Sequence, residues 1–109
     1  MRYMFLIYGD PEQPDAPELM AKYGEFTQCV AERGVLRAGN QLHRAPSAKT
    51  VSVRGGNTIA TDGPYAETKE QIGGYYIIDC RDMEEAVQVA ASIPNAADGY
   101  VEIRPIVGD

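Results

Sequence analysis

Thr61-Asp62-Gly63-Pro64-Tyr65-Ala66-Glu67-Thr68-Lys69-Glu70-Gln71-Ile72-Gly73-Gly74-Tyr75-Tyr76 sets a tight turn, a run of alternating charges and a Gly-Gly entry into an apolar strand side by side. Asp-Gly-Pro is turn chemistry: the Asp side chain bonds nearby amides, Gly frees φ and Pro fixes it. Gly73-Gly74 permits either a bulge or the close approach of a ligand to the backbone. Without a following helix, two glycines do not make a phosphate loop. The strand they lead into, residues 75–80, is apolar on both faces, so both faces are expected to be covered.

Upstream, residues 2–8 read as a second strand of the same kind. Tyr3, Phe5 and Ile7 lie on one face and Met4, Leu6 and Tyr8 on the other. Gly9 to Pro14 is turn-rich and ends it. Asp15 is then expected to cap a helix, with Pro17 in its first turn and Glu18 completing an Asp-x-x-Glu capping box. Leu19, Tyr23, Phe26 and Val30 form its apolar stripe and Gly34 stops it. A strand follows over 35–42, and a hairpin pairs 50–54 with 58–61 around Gly55-Gly56-Asn57. Downstream, Asp82 and Glu85 open a second helix with a face of Met83, Ala86, Val87, Ala90 and Ala91. Pro94 stops it, and a last strand runs over 100–107.

Strand, helix, strand, hairpin, strand, helix, strand is a ferredoxin-like βαββαβ arrangement of the α+β class, with the hairpin inserted. Residues 1–109 form one domain, too short for a second core. Both helices should pack on one sheet face. Apolar residues on the other face would then be left to a partner, so a homodimer burying sheet against sheet is expected.

Composition narrows the function classes. A net charge of −6, with ten Lys and Arg residues scattered along the chain, argues against direct nucleic-acid binding. The apolar start is too short for a membrane span and lacks the cleavage site of a signal peptide, so a cytoplasmic setting is expected. Cys29 and Cys80 share no motif and read as two small buried hydrophobes in a reducing compartment.

The 61–76 stretch resembles the signature of the YCII-related family, in the branch named for an Asp-Gly-Pro-Phe tetrapeptide, here Asp62-Gly63-Pro64-Tyr65. Glu102-Ile103-Arg104-Pro105 is similar to that family's closing strand, and Leu36 to Leu42, with Ala38-Gly39, to its second strand. The resemblance implies a dimeric α+β barrel. It also implies a possible regulatory link to sigma-factor-dependent transcription, since genes of this branch often sit beside such factors. Better-understood relatives carry a histidine on the first helix that acts with an aspartate. The corresponding position here falls near Lys22 or Tyr23, so that dyad does not transfer.

Asp62 is the first catalytic candidate: beside Tyr65 and Tyr8 a carboxylate could serve as general base, or it could simply order the turn. His43, alone in the chain and next to Ala45-Pro46, is either a base or a surface histidine. Glu67, Lys69 and Glu70 could line a cleft mouth or form a solvated face. Arg104 could hold an acidic ligand between protomers, or pair with Glu102 and fix the register of the dimer. Tyr8 and Tyr65 would shape an apolar wall. A single histidine, with no cysteine or carboxylate cluster, gives no expectation of a metal, and nothing implies a cofactor. The leading expectation is a cofactor-independent enzyme that abstracts a proton from a small acidic or aromatic molecule, with elimination or isomerisation. The alternatives are a non-catalytic small-molecule binder and a regulatory partner.

Overall fold

A computed structural model describes residues 1–108, with a mixed α+β architecture. The elements are β1 (Arg2–Gly9), α1 (Pro17–Glu32), β2 (Leu36–Gln41), β3 (Lys49–Arg54), β4 (Asn57–Asp62), β5 (Gln71–Asp79), α2 (Met83–Ala91) and β6 (Tyr100–Pro105). Short 3₁₀ turns span Ala45–Ser47 and Pro94–Ala97. Four strands form one antiparallel sheet in the order β2-β5-β1-β6, and β3 and β4 form a separate two-stranded sheet.

Alternation along β1 and β5 assigns the two faces of the main sheet. Tyr3, Phe5 and Ile7 of β1, with Tyr76 and Ile78 of β5, are buried beneath the helices. Phe26 and Val30 of α1 and Ala86, Val89 and Ala90 of α2 meet them. Phe5 has no exposed surface, so truncating it to alanine would cost about 3–5 kcal/mol. Met4, Leu6, Tyr75 and Ile77 point the other way and are half-buried, with no helix over them.

Local rules account for most element ends. Gly34 sits after the α1 C-cap with φ +74°, where its N–H meets Ala31 O and the Val35 N–H meets Val30 O, a Schellman closure. Asp82 caps α2 by accepting from the Glu85 amide at 2.9 Å, and Glu85 reaches back to the Arg81 amide at 3.0 Å. Gly73 is bulged: β1 pairs Ile7 with Gly74 and Tyr8 with Ile72, passing over it. β5 therefore starts at Gln71, four residues before the expected 75, and the glycine pair lies inside the strand.

Two expectations about the helices are corrected. Asp15 does not cap α1; Ala16 holds the cap position without a side-chain bond, and Asp15 is drawn to Gln41 and Arg44 instead. On α2 the buried face runs through Val89 rather than Val87, which is exposed together with Met83. The rotation brings Ala86, Val89 and Ala90 over the sheet in line with buried Ile93. Of the two cysteines, neither is bridged; Cys80 is buried as expected and Cys29 is exposed.

Candidate functional site

The α1 stripe does two jobs. Phe26 and Val30, in its C-terminal half, enter the core, whereas Leu19 and Tyr23, a turn or two earlier, stand over the ends of the strands. Between them and the sheet lies a cleft of about 400 Å³. Its sheet side is Ile7, Leu36 and Tyr76; Asn95 and Gly99 also line it, and Asp10, Asp15, Gln41 and Arg44 stand at the mouth.

The polar groups inside are hydroxyls and amides in defined roles. Thr27 Oγ1 donates to the Tyr23 carbonyl at 2.8 Å, which leaves its oxygen to accept from Tyr76 Oη at 2.7 Å. The Tyr76 ring meets Phe26 edge-on with centroids 5.2 Å apart. Gly39 makes room for that ring: a Cβ there would lie 2.6 Å from Tyr76 Cδ1. Burial pushes the Tyr23 phenol up to about 12, and a hydrogen bond from the Asn95 backbone offsets this in part. At neutral pH Tyr23 is thus a neutral donor and acceptor, with no tendency to act as a base.

The mouth is charged and cross-linked. Asp15 Oδ2 accepts from Gln41 Nε2 at 3.4 Å, and Asp15 Oδ1 lies 3.6 Å from Arg44. Arg44 also donates to the Pro11 carbonyl. Gln71 Nε2 donates to the Ala66 and Thr68 carbonyls, each at 2.8 Å, and shapes the approach to β5. Around the cleft stand the carboxylates of Asp10, Asp15, Glu70 and Asp98 against the cations of Arg44 and Lys69, of which Arg44 is already engaged. Its field therefore favours neutral or positive ligands.

The residues singled out from the sequence fall elsewhere. Asp62 ends β4, is 85% exposed and pairs with Lys49 Nζ at 2.6 Å. Tyr65 is 92% exposed, and His43 and Glu67 are exposed as well. None of these four lines the cleft, although Lys69 and Glu70 do. Tyr8 and Arg104 do come together, through Glu102, on the sheet face away from the helices. Tyr8 Oη donates to Glu102 Oε1 at 3.4 Å and Arg104 Nε to Glu102 Oε2 at 2.7 Å. Burial and then the Glu102 carboxylate raise the Tyr8 phenol. Among the described residues no three His, Cys, Asp or Glu side chains converge as a metal would require, and no helix is long and apolar enough to cross a membrane.

Tyr23, Thr27, Tyr76 and Asn95 were therefore missed as site residues. The available signal was Thr27, a hydroxyl four residues after Tyr23 on an otherwise apolar helix face. A tyrosine in such a stripe reads as core, and only the tertiary placement of α1 shows that its first half overhangs the sheet.

A family model described as YCII-related domain matches residues 1–108. An uncharacterised protein of Rhizobium meliloti is 34% identical over 114 residues, covering 97% of this chain and 92% of that protein.

Proposed function

We propose that this chain, which belongs to the YCII-related family, binds a small uncharged or cationic molecule with an aromatic or apolar body in the cleft between α1 and the sheet. The carrying observation is the cleft itself: about 400 Å³ falls within the roughly 300–1,000 Å³ of small-molecule sites, and apolar Ile7, Leu19 and Leu36 share its lining with at least as much polar surface. Tyr23, held neutral, and the Thr27–Tyr76 hydroxyl pair offer hydrogen bonds without charge. The carboxylate-rich mouth disfavours the acidic arm of the expected ligand, a small acidic or aromatic molecule, and leaves the aromatic one.

Binding is preferred to turnover because of what the cleft contains. Proton abstraction by Asp62 or His43, with Arg104 holding a carboxylate and Tyr8, Tyr65 and Glu67 around the substrate, would need these groups gathered about one ligand. Within one chain they are dispersed, so that reaction would require a second copy to bring them together. The strand order supports a ferredoxin-like βαββαβ reading with an inserted hairpin, and the half-buried Met4, Leu6, Tyr75 and Ile77 support a sheet-to-sheet homodimer of the α+β barrel kind. Membership of the Asp-Gly-Pro-Phe branch rests on Asp62-Gly63-Pro64-Tyr65.

Thermal melts with phenol, benzylamine and benzoate at equal concentration test this reading. A ligand that binds only the folded state raises the midpoint by mass action. Phenol or benzylamine should raise it and benzoate should not. A rise with benzoate alone, or with none of the three, would remove the proposed ligand class.

A further inference from the structure

The ten basic residues, though spread along the chain, are concentrated in one segment. Residues 33–61 hold five of them (Arg33, Arg37, Arg44, Lys49 and Arg54) and none of the sixteen acidic residues. This 29-residue segment carries +5, and the other 80 residues carry −11. Its distal part is the β3–β4 arm, a two-stranded sheet that is separate from the other strands of the described residues. A lone two-stranded hairpin is marginal in water. This one also exposes Val51 by 61% and Val53 by 58%.

Bulk dimensions show that the chain, of which the arm is a part, leaves surface uncovered. The radius of gyration is 15.6 Å, whereas a compact chain of this length has about 13 Å. The accessible surface is 7480 Å², against about 5,900 Å² for a compact monomer of this mass. The surplus, on the order of 1,500 Å², exceeds the roughly 800 Å² that one partner gives up in a standard interface.

Charge identifies the cover. Arg37, Arg44 and Lys49 are each paired with a carboxylate of their own chain, Asp79, Asp15 and Asp62 respectively. Among the described residues Arg54, beside the Gly55-Gly56 turn, donates to the neighbouring Val53 carbonyl and pairs with no carboxylate. Residues 9–21, in contrast, carry Asp10, Glu12, Asp15 and Glu18 with no base. At its root the arm already touches this acidic stretch in its own chain, through Arg44 to Asp15 and to the Pro11 carbonyl. A two-fold axis beside that root would carry each arm across to the other chain's acidic stretch. Nucleic acid fits poorly, because a body of −11 repels it.

We infer that the β3–β4 arm docks on a second copy of this chain, its Arg54 tip and exposed valines lying against the partner's acidic stretch of residues 10–18. The contact is reciprocal and separate from the helix-free sheet face. It is also independent of what the cleft binds. Because exposed charges hold it, it weakens with salt, whereas an apolar sheet-to-sheet contact does not.

Paramagnetic broadening between chains tests it. The full-length chain carries a spin label at Thr58→Cys in a Cys29→Ser background and is mixed with isotope-labelled, spin-free chain. Amides of residues 10–18 in the isotope-labelled chain should broaden at low salt. The broadening should fade at about 0.5 M salt, where the Debye length is a few ångströms. Arg54→Glu should remove it and weaken self-association by roughly tenfold, about 1.4 kcal/mol, while the amide spectrum stays that of the folded chain. A monomer at low salt, broadening confined to other residues, or broadening unchanged by Arg54→Glu would each overturn the inference. Association with added single-stranded DNA in place of a second copy would overturn it too.

Discussion

The hydroxyls of Thr27 on α1 and Tyr76 on β5 lie 2.7 Å apart and join helix to sheet at the wall of the cleft. Because Thr27 spends its own proton on the Tyr23 carbonyl, Tyr76 is the donor in this pair. Tyr76→Phe keeps the edge contact with Phe26 and removes only that donor. It should cost about 1 kcal/mol in denaturant unfolding, and Thr27→Val about the same. In a double-mutant cycle the two losses should not add. Full additivity would show that the hydroxyls do not interact.

Two glycines set how closely the walls approach. A Cβ at Gly39 would meet the Tyr76 ring at 2.6 Å, and one at Gly99 would meet the Tyr8 carbonyl oxygen at 2.3 Å. A ring can tilt, but a strand backbone cannot move without its neighbours. Gly39→Ala should therefore lose about 1–3 kcal/mol, and Gly99→Ala more than that. Unfolding midpoints in urea give the ranking, and equal stability of the two variants would contradict it.

Alkaline pH should probe Tyr23 directly. Folding raises its phenol from 10.0 to about 12, so the folded state holds a proton that the unfolded chain has lost. That contribution is complete below about pH 10, declines as pH rises toward 12 and is gone above it. The full shift corresponds to about 2.7 kcal/mol, but the phenol is only part-buried, so solvent screening holds the loss to roughly 1 kcal/mol. Tyr8 is shifted in the same sense and adds to the decline. Tyr23→Phe should flatten most of the fall in stability, and tyrosinate absorbance should show one late-titrating phenol fewer. An unchanged alkaline profile would mean that Tyr23 titrates as if exposed.

Asp82 and Asp15 head matching Asp-x-x-Glu patterns but should respond differently. Asp82→Ala removes a real cap and should cost about 1 kcal/mol. Asp15→Ala removes an exposed ion pair and should stay within about 0.5 kcal/mol. Its larger effect should be faster amide exchange in residues 10–14 and 41–44, which it links across the mouth.

This contrast shows what was legible in the sequence. Element order, the alternation of β1 and β5, the Gly34 stop, the Asp82 cap and the hairpin all follow from local chemistry within a few residues. Asp15 failed as a cap because Arg44, remote in sequence, competes for its carboxylate, and two prolines precede the helix. The cleft escaped notice for a related reason. Its polar groups come from α1, β5 and the turn after α2, and no short motif records that convergence. The 61–76 signature identified the family well but is split in space: residues 62–67 fold into an exposed turn at the base of the arm, whereas residues 69–76 line the cleft.

Amide shift mapping during titration with benzylamine, on the full chain, is the most direct measurement. A ligand held in the cleft should shift Tyr23, Thr27, Gln41 and Asn95 together and saturably, with benzoate leaving them in place. Shifts confined to Asp62, Tyr65 and Glu67, or none at all with either compound, would contradict a binding site between α1 and the sheet.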